Sequence, residues 1–171
     1  MTAAEFILAL VTAQRGAELA LSRFNTQKLL ARGAVELAPG HYPLMVAVHA
    51  CWLIALWVFG HDQSVNSLAL AAYLALQALR AWVMLTLGAR WTTGIIVVPH
   101  EPLISGGPYR FLRHPNYVVV TGEIATLPLM LDLYWLAALF TVLNALVLFI
   151  RIRAENRALD ASRAITAQGA P

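Results

Sequence analysis

Residues 117–150 read YVVVTGEIATLPLMLDLYWLAALFTVLNALVLFI, and this stretch decides the class of fold. A helix crosses the roughly 30 Å hydrocarbon core of a bilayer with about 20 residues, at 1.5 Å per residue. The stretch is long enough to cross twice, and Asp132 is the polar break near its middle. It therefore predicts a tight helical hairpin in a membrane, with spans at about 117–131 and 133–150.

Three further apolar segments lie on the N-terminal side of this hairpin. Residues 43–60 and 65–87 are bounded by proline, glycine or polar residues, as expected at helix ends. Residues 3–22 contain Arg15 and Glu18, yet they are too apolar for a solvated helix, and they lack the basic start of a cleavable signal peptide. The sequence thus predicts an all-α, polytopic integral membrane protein with about five transmembrane helices.

The composition supports the same class. Of the 171 residues, 60% are hydrophobic and 12% are charged, against roughly 25% charged in an ordinary soluble domain. With a mean hydropathy of +0.67, the chain has too much apolar surface for one water-soluble core. The single cysteine, Cys51, excludes a disulfide framework, and we expect no metal site. We interpret residues 1–171 as one membrane domain.

The basic residues predict the orientation of the chain. Ten of the 12 lie on one side of the predicted membrane: Arg23, Lys28, Arg32, Arg90, Arg110, Arg113, Arg151, Arg153, Arg157 and Arg163. The other two, Arg15 and Arg80, lie inside predicted spans. The positive-inside rule then predicts an N-terminus outside and a C-terminus in the cytoplasm, in the inner or plasma membrane. The net charge of +3 reflects this topology, and we expect no nucleic-acid partner.

Several polar residues lie within the predicted spans. On the first span a stripe at a spacing near 3.6 comprises Gln14, Arg15, Glu18, Ser22 and Asn25. Arg80 and Glu123 are expected to pair across the bundle, because a charge inside a span is costly without a partner. Two interpretations stay open: structural ion pairs and hydrogen bonds, or contact with a substrate. The candidates for substrate contact are Arg15, Glu18, His49, Arg80 and Glu123.

The longest segment between predicted spans covers residues 88–116, and connections of this length usually have a purpose. Residues 93–98 suit an extended strand, and residues 106–108 (GGP) predict a turn where the backbone can approach a ligand. Pro115 suits the first turn of a helix, which places His114 near the cap, beside N–H groups that carry partial positive charge. The tyrosines and arginines around it have a simpler interpretation as anchors of a helix end at the membrane interface.

Residues 107–110 (GPYR), 113–117 (RHPNY) and 151–159 (RIRAENRAL), with the hairpin between them, resemble a known family. It comprises the membrane methyltransferases related to isoprenylcysteine carboxyl methyltransferase, and the resemblance covers about residues 87–159. The N-terminal half is similar to the bacterial branch of this family that methylates lipids made by type III polyketide synthases. The residues that carry this second resemblance are 15–19 (RGAEL), 33–36 (GAVE) and 41–49 (HYPLMVAVH).

The resemblance implies S-adenosylmethionine as cofactor and a lipophilic acceptor that enters from the bilayer. It places the cofactor on the cytoplasmic side, between the loop before the fourth helix and the C-terminal helix. Carried over by position, the cofactor-binding residues are Gly107, Tyr109, Arg110, His114, Pro115, Asn116, Tyr117 and Glu155. Relatives often have two adjacent acids where this chain has Glu155 and Asn156, so a role for a second carboxylate does not transfer.

The chemistry of methyl transfer suits these residue types. A sulfonium cation is stabilised by carboxylate, backbone and aromatic groups, and the cofactor's own carboxylate needs a basic group. A phenolic acceptor, with a pKa near 10, needs a base or a cation. The catalytic candidates are His114 or Glu155 as base and Arg151 as stabiliser of the anion. Arg151 and Glu155 lie four residues apart, so a solvated salt bridge is the alternative.

Other functions stay open at this level. Within methyl transfer, the acceptor is a long-chain phenol, resorcinol or pyrone, with an isoprenylated cysteine carboxylate as the alternative. Membrane sterol reductases that use NADPH have a similar Arg-His-Pro-Asn-Tyr segment, although residues 160–171 do not resemble their tail. A non-catalytic scaffold or transporter fragment is the third class, but no internal repeat supports it. The absence of GxGxxG after a strand excludes the soluble Rossmann-type methyltransferases as a template.

Overall fold

The computed structural model describes residues 1–37, 40, 42–99, 101–102 and 104–168, with side chains described as far as Arg153. The described chain forms five α-helices: α1 (Ala3–Ala31), α2 (Tyr42–Gly60), α3 (Ser67–Leu87), α4 (Pro115–Met130) and α5 (Tyr134–Gln168). Short 3-10 helices occupy Gly88–Arg90 and Gly107–Arg110. The prediction of an all-α bundle is confirmed.

Three helical segments are long and apolar enough to cross a membrane: Tyr42–Gly60, Ser67–Arg90 and Tyr134–Arg153. The first and last helices extend well beyond the predicted 3–22 and 133–150. α1 is 29 residues long but carries charged side chains along its middle. α4 has only 16 residues, which gives about 24 Å, less than the hydrocarbon core. α1 and α4 are therefore part of the bundle but lack the long apolar surface of the other three helices.

The predicted hairpin between α4 and α5 is confirmed. Pro128 O accepts hydrogen bonds from the backbone N–H groups of Leu131 (3.0 Å) and Leu133 (2.9 Å), and Asp132 adopts a left-handed conformation with φ of 56°. Thr2 and loop 61–66 lie at the same end, where Thr2 Oγ1 donates to the carbonyl of His61 at 2.7 Å. We call this end of the bundle the hairpin end.

The opposite end is closed by a two-stranded antiparallel ribbon, which we call the ribbon end. β1 (Val35–Glu36) pairs with β2 (Ile96–Val97), so that Val35 lies opposite Val97. The extended interpretation of residues 93–98 is thus confirmed for β2. The partner strand has only two residues, too few for an alternating pattern to predict it. The ribbon joins the end of α1 to the loop between α3 and α4.

The apolar core lies towards the hairpin end. It is formed by buried residues of α1, α2, α4 and α5, among them Leu8, Trp52, Leu56, Leu127 and Leu136. Large apolar side chains also point outwards along the bundle; Leu85, for example, is 82% exposed. An apolar outer surface of this extent suits lipid rather than water. The described chain is therefore an integral membrane protein, with its polar interior towards the ribbon end.

Candidate functional site

Four charged side chains from α1, α3 and α4 form one ionic network inside the bundle. Arg80 binds both acids: its Nη1 lies 2.9 Å from Glu18 Oε2, and its Nε lies 2.8 Å from Glu123 Oε1. Arg15 bridges the same two acids, at 3.0 Å from Glu18 and 3.4 Å from Glu123. We call these four residues the charge network. The predicted pair of Arg80 and Glu123 is confirmed, and the network as a whole has no net charge.

Two glutamines complete the hydrogen bonds of the charge network. Gln77 Nε2 donates to Glu123 Oε1 at 2.6 Å, and Gln14 Nε2 donates to Glu18 Oε1 at 2.9 Å. Gln14 also donates to Gln77 at 2.8 Å, which links α1 to α3. Each carboxylate oxygen of the network therefore has at least one donor. This satisfaction is what permits charges to remain buried in an apolar bundle.

The polar stripe of α1 continues from the charge network towards the ribbon end. There it forms hydrogen bonds with the loop that follows α3. Ser22 Oγ accepts a hydrogen bond from the Thr93 backbone N–H at 2.9 Å. Asn25 Nδ2 donates to the carbonyl of Trp91 at 2.8 Å. Both α1 side chains are buried. The stripe predicted from sequence thus positions residues 91–93, which begin the wall of a cavity.

A cavity of about 250 Å³ lies inside the bundle beside the charge network, and we call it the membrane cavity. Its walls are mostly apolar. The polar or polarisable side chains that face it from the helices include Arg15, Glu18, Met45, His49, Arg80 and Asn144. A cavity with this lining suits an apolar molecule that carries a polar head group.

A second cavity, of about 290 Å³, lies at the ribbon end, and we call it the loop cavity. Apolar residues of the segment 95–98 line it. The polar residues that line it include Arg90, Tyr109, Arg113 and His114. The loop before α4 thus forms a small polar and apolar pocket, near the lower end of the volume range of small-molecule sites.

The two cavities meet at four side chains that line both: Trp91, Asn116, Tyr117 and Arg151. We call them the shared wall. Arg151 is only 6% exposed; its Nε donates to Tyr117 Oη at 3.0 Å, and its Nη1 lies 2.9 Å from Met45 Sδ. Two polar atoms of the shared wall, Asn116 Oδ1 and Trp91 Nε1, are buried and have no hydrogen-bond partner among the described residues. Buried atoms of this kind are expected to bind a ligand or water.

His114 is the N-cap residue of α4, and Pro115 occupies the first turn, as predicted. The ring of His114 stacks on Tyr117, with centroids 5.1 Å apart and an interplanar angle of 17°. His114 lines the loop cavity but not the membrane cavity. This stacking places the N-cap residue of α4 against Tyr117 of the shared wall.

The structure brings half of the predicted cofactor residues together. Four of the eight line the loop cavity: Tyr109, His114, Asn116 and Tyr117. Pro115 is buried, whereas Gly107 and Arg110 line neither cavity. The Arg110 guanidinium lies 5.5 Å from the centroid of the Phe111 ring. The predicted role of Glu155 lies outside the described side chains.

Some residues of the site were missed from sequence. Trp91 and Thr93 follow α3 without any motif, and their hydrogen bonds to α1 and, for Thr93, to Tyr42 of α2 hold them at the cavities. Asn144 is buried and faces the membrane cavity; its Nδ2 lies 3.4 Å from Thr121 Oγ1. Of these three residues, Asn144 alone has a signal in the sequence, because it is a lone asparagine in the apolar run of α5.

Gly107 sets the path of the loop that carries Tyr109 and His114. Its φ is 56°, and a Cβ atom at this position would overlap the Thr86 side chain of α3. We expect Gly107→Ala to lower the free energy of unfolding by about 1–2 kcal/mol, the cost of a left-handed conformation, with a further loss from the overlap. Thermal unfolding in detergent micelles would measure this.

Gly106→Ala is the matched control for this variant. Gly106 has a φ of −82°, and a Cβ atom added to it would have no atom within 4 Å among its non-neighbouring residues. We expect its unfolding temperature to stay close to that of the wild type. Equal unfolding temperatures for the two alanine variants would contradict the role given to Gly107.

Comparison with known proteins gives the family. The chain matches the isoprenylcysteine carboxyl methyltransferase (ICMT) family over residues 68–161, more than half of its length. It belongs to the ICMT family. Two bacterial relatives cover nearly all of this ICMT-family chain, and no solved structure matches it.

The first relative is the "Uncharacterized protein YpbQ" of Bacillus subtilis, 39% identical over 159 residues, which cover 90% of this chain and 95% of the relative. The second is an "Uncharacterized protein" of Haemophilus influenzae, 24% identical over 158 residues, which cover 89% of this chain and 92% of the relative. Similarity therefore extends beyond the ICMT match into the N-terminal part of the chain.

The ICMT match covers one part of the site and leaves another part outside it. Residues 68–161 contain all four residues of the shared wall and nearly all of the loop cavity. Arg15, Glu18, Met45 and His49 precede the match, and they close the membrane cavity from α1 and α2. The ICMT family is one of membrane methyltransferases.

Proposed function

We propose that this ICMT-family protein is an S-adenosylmethionine-dependent O-methyltransferase of the membrane, and that its acceptor is lipophilic, such as a phenolic or pyrone polyketide lipid. The observation that carries this proposal is the meeting of two cavities at the shared wall. One cavity is lined mostly by the loop before α4 and the other mostly by the helices. A soluble donor and an apolar acceptor can thus approach each other from different phases.

The loop cavity has the chemistry that S-adenosylmethionine requires. Arg113 can bind the cofactor's carboxylate, and the apolar segment 95–98 can contact adenine. The sulfonium group is favoured by oxygen acceptors and by aromatic faces. Asn116 Oδ1 is such an acceptor, buried and without a partner among the described residues, and the Tyr117 ring lies beside it in the shared wall. The residues present therefore fit the cofactor.

The membrane cavity fits an acceptor that comes from the bilayer. Leu19 of α1 and Val46 of α2 line the cavity and are also exposed on the outer surface. The boundary between these two helices is therefore the proposed entry for a lipid chain. The predicted substrate candidates Arg15, Glu18, His49 and Arg80 all face this cavity, whereas Glu123 does not line it.

The chain's own residues would perform three tasks in the transfer. When bound, S-adenosylmethionine supplies an electrophilic methyl group on a sulfonium centre. The shared wall holds the two reactants in line, which can contribute much of the rate. Arg151, fixed by Tyr117 and Met45, provides positive charge for the developing or existing oxyanion. The apolar helices around the membrane cavity exclude water.

The proposal includes an orientation in the cell's inner or plasma membrane. Arg32, Arg90, Arg110 and Arg113 belong to the segments at the ribbon end. By the positive-inside rule this end faces the cytoplasm, where S-adenosylmethionine is dissolved. The hairpin end, with the N-terminus of α1, then faces the outside.

Cofactor binding tests the proposal directly. We expect purified protein in detergent to bind S-adenosylmethionine at one saturable site by calorimetry, with S-adenosylhomocysteine as competitor. Asn116→Ala should weaken binding about 10- to 100-fold, because it removes an acceptor for a charged ligand, an interaction of roughly 1.5–3 kcal/mol. Gln63→Ala, in the exposed loop at the hairpin end, is the control and should bind as the wild type.

Two outcomes would overturn the proposed function. The first is failure of the folded wild type to bind S-adenosylmethionine, particularly with saturable binding of NADPH, which would support a lipid reductase. The second is cofactor binding without transfer of radioactive methyl to any component of a lipid extract. Transfer to an isoprenylated cysteine carboxylate alone would keep methyl transfer and replace the acceptor.

A further inference from the structure

His49 has a defined protonation pattern inside the membrane cavity. Its Nδ1 lies 2.8 Å from the carbonyl oxygen of Met45, one turn earlier in α2. A carbonyl oxygen can only accept a hydrogen bond, so Nδ1 carries the proton. In the neutral ring, Nε2 then has a free lone pair and can accept a proton. This backbone contact orients the imidazole as a base within the cavity that it lines.

His49 also lies close to the shared wall. Met45, which accepts its hydrogen bond, contacts Arg151 through its sulfur atom at 2.9 Å. His49 is therefore one helical turn, about 5.4 Å along α2, from a residue that touches the shared wall. A polar head group that reaches the shared wall can contact the imidazole in the same cavity.

Other ionisable groups in the cavity are less suited to accept a proton. The charged or titratable side chains that surround His49 from the other helices are Arg15, Glu18, Arg80, Tyr117, Glu123 and Arg151. Both carboxylates are bound by the guanidinium groups of the charge network and by the two glutamines. His114 lines the loop cavity only. Among the described residues of the membrane cavity, His49 is the base that remains.

We propose that His49 is a catalytic base and that the acceptor is a weakly acidic hydroxyl compound of the bilayer, not a carboxylate. This rests on the proposed function. His49 Nε2 takes the hydroxyl proton while the acceptor oxygen bonds to the methyl carbon, and the carbon–sulfur bond breaks with its electron pair staying on sulfur. The sulfonium thus becomes a neutral thioether, and the imidazolium releases its proton before the next turnover.

The acidity of the acceptor distinguishes this role from simple packing. A carboxylate is already ionised at neutral pH and needs no base, whereas a phenol with a pKa near 10 does. General base catalysis typically contributes about 10²- to 10⁴-fold in rate. Loss of the base should therefore affect a neutral hydroxyl acceptor strongly and an ionised acceptor weakly.

His49→Asn tests this, because the asparagine amide can still donate to Met45 but has no group that takes up a proton. With an alkylphenol acceptor we expect methyl transfer to fall about 10²- to 10⁴-fold. With an alkylnitrophenol that is ionised at neutral pH, we expect a loss of less than about 10-fold by the same reasoning. His61→Asn, which changes an exposed histidine at the hairpin end, is the control and should leave both rates unchanged.

Two further measurements separate a base from a structural residue. The wild-type rate with alkylphenol should rise with pH and reach a plateau, whereas the His49→Asn rate should keep rising towards the pKa of the phenol. Without cofactor, the absorbance of bound alkylnitrophenol should show more phenolate in the wild type than in His49→Asn at the same slightly acidic pH.

The proposal is overturned if His49→Asn loses the same factor with both acceptors, or loses nothing with alkylphenol. It is also overturned if the wild type methylates only carboxylate acceptors. Each of these results leaves S-adenosylmethionine-dependent transfer intact. Failure of the proposed function is recognised separately, by the absence of cofactor binding to the folded wild type.

Discussion

Glu123→Gln is expected to lower the free energy of unfolding by about 3–5 kcal/mol, the usual cost of removing one partner from a buried ionic group. The carboxylate of Glu123 is contacted by Arg80, Arg15 and Gln77. Arg80 is 4% exposed, so water cannot solvate its guanidinium group once the carboxylate is lost. The variant leaves the buried guanidinium of Arg80 and the partly buried one of Arg15 with Glu18 as their remaining counter-charge in the network. Thermal unfolding in detergent and the yield of folded protein would measure the loss.

Glu101→Gln is the matched control, because it removes two ion pairs at the ribbon end that are partly exposed. Glu101 Oε1 lies 2.5 Å from Arg32 Nη2, and Glu101 Oε2 lies 3.6 Å from Arg90 Nη1. Such pairs contribute about 0–1 kcal/mol, so we expect little change. The double variant Arg15→Gln/Glu123→Gln restores a balanced network and should recover part of the stability. A Glu123→Gln protein as stable as Glu101→Gln would show that the charge network does not hold the bundle.

Arg151→Lys is expected to reduce kcat/KM for methyl transfer about 10²- to 10³-fold while the protein stays folded. Arg151 uses separate atoms of its planar guanidinium to contact Tyr117 Oη and Met45 Sδ. A lysine keeps the charge but cannot make both contacts in this geometry. The charge is then no longer fixed at the shared wall. Losing one preoriented group of this kind costs roughly 3–4 kcal/mol of transition-state stabilisation. Steady-state kinetics with radioactive cofactor would measure the effect.

Arg153→Lys is the control for this variant. Arg153 lies two residues further along α5, is exposed, and stacks over Phe149 at 4.1 Å. We expect its kinetics and its unfolding temperature to match those of the wild type. Similar kinetics for Arg151→Lys and Arg153→Lys would rule out a role of Arg151 in the reaction.

Much of the fold follows from properties that are local in the sequence. The length of an apolar run, the polar break at Asp132 and the proline at position 115 predict helices and their ends, because bilayer thickness and backbone geometry act on neighbouring residues. The pairing of Arg80 with Glu123 was predictable for a similar reason, since buried charges require partners. The segment that carries His114, Asn116 and Tyr117 was also visible, because several polar residues gather at one helix end.

Other features depend on how the helices pack. The sequence by itself determined the all-α membrane bundle, the hairpin and the polar stripe of α1. Only the tertiary structure decided that Arg15 and Glu18 join the Arg80 pair, that Val35 pairs with Val97, and that two cavities meet at the shared wall. Helical periodicity specifies which residues share a face of one helix. The rotation of each helix towards its neighbours is set by the packing of the whole bundle, and that rotation brings Tyr117 and Arg151 together.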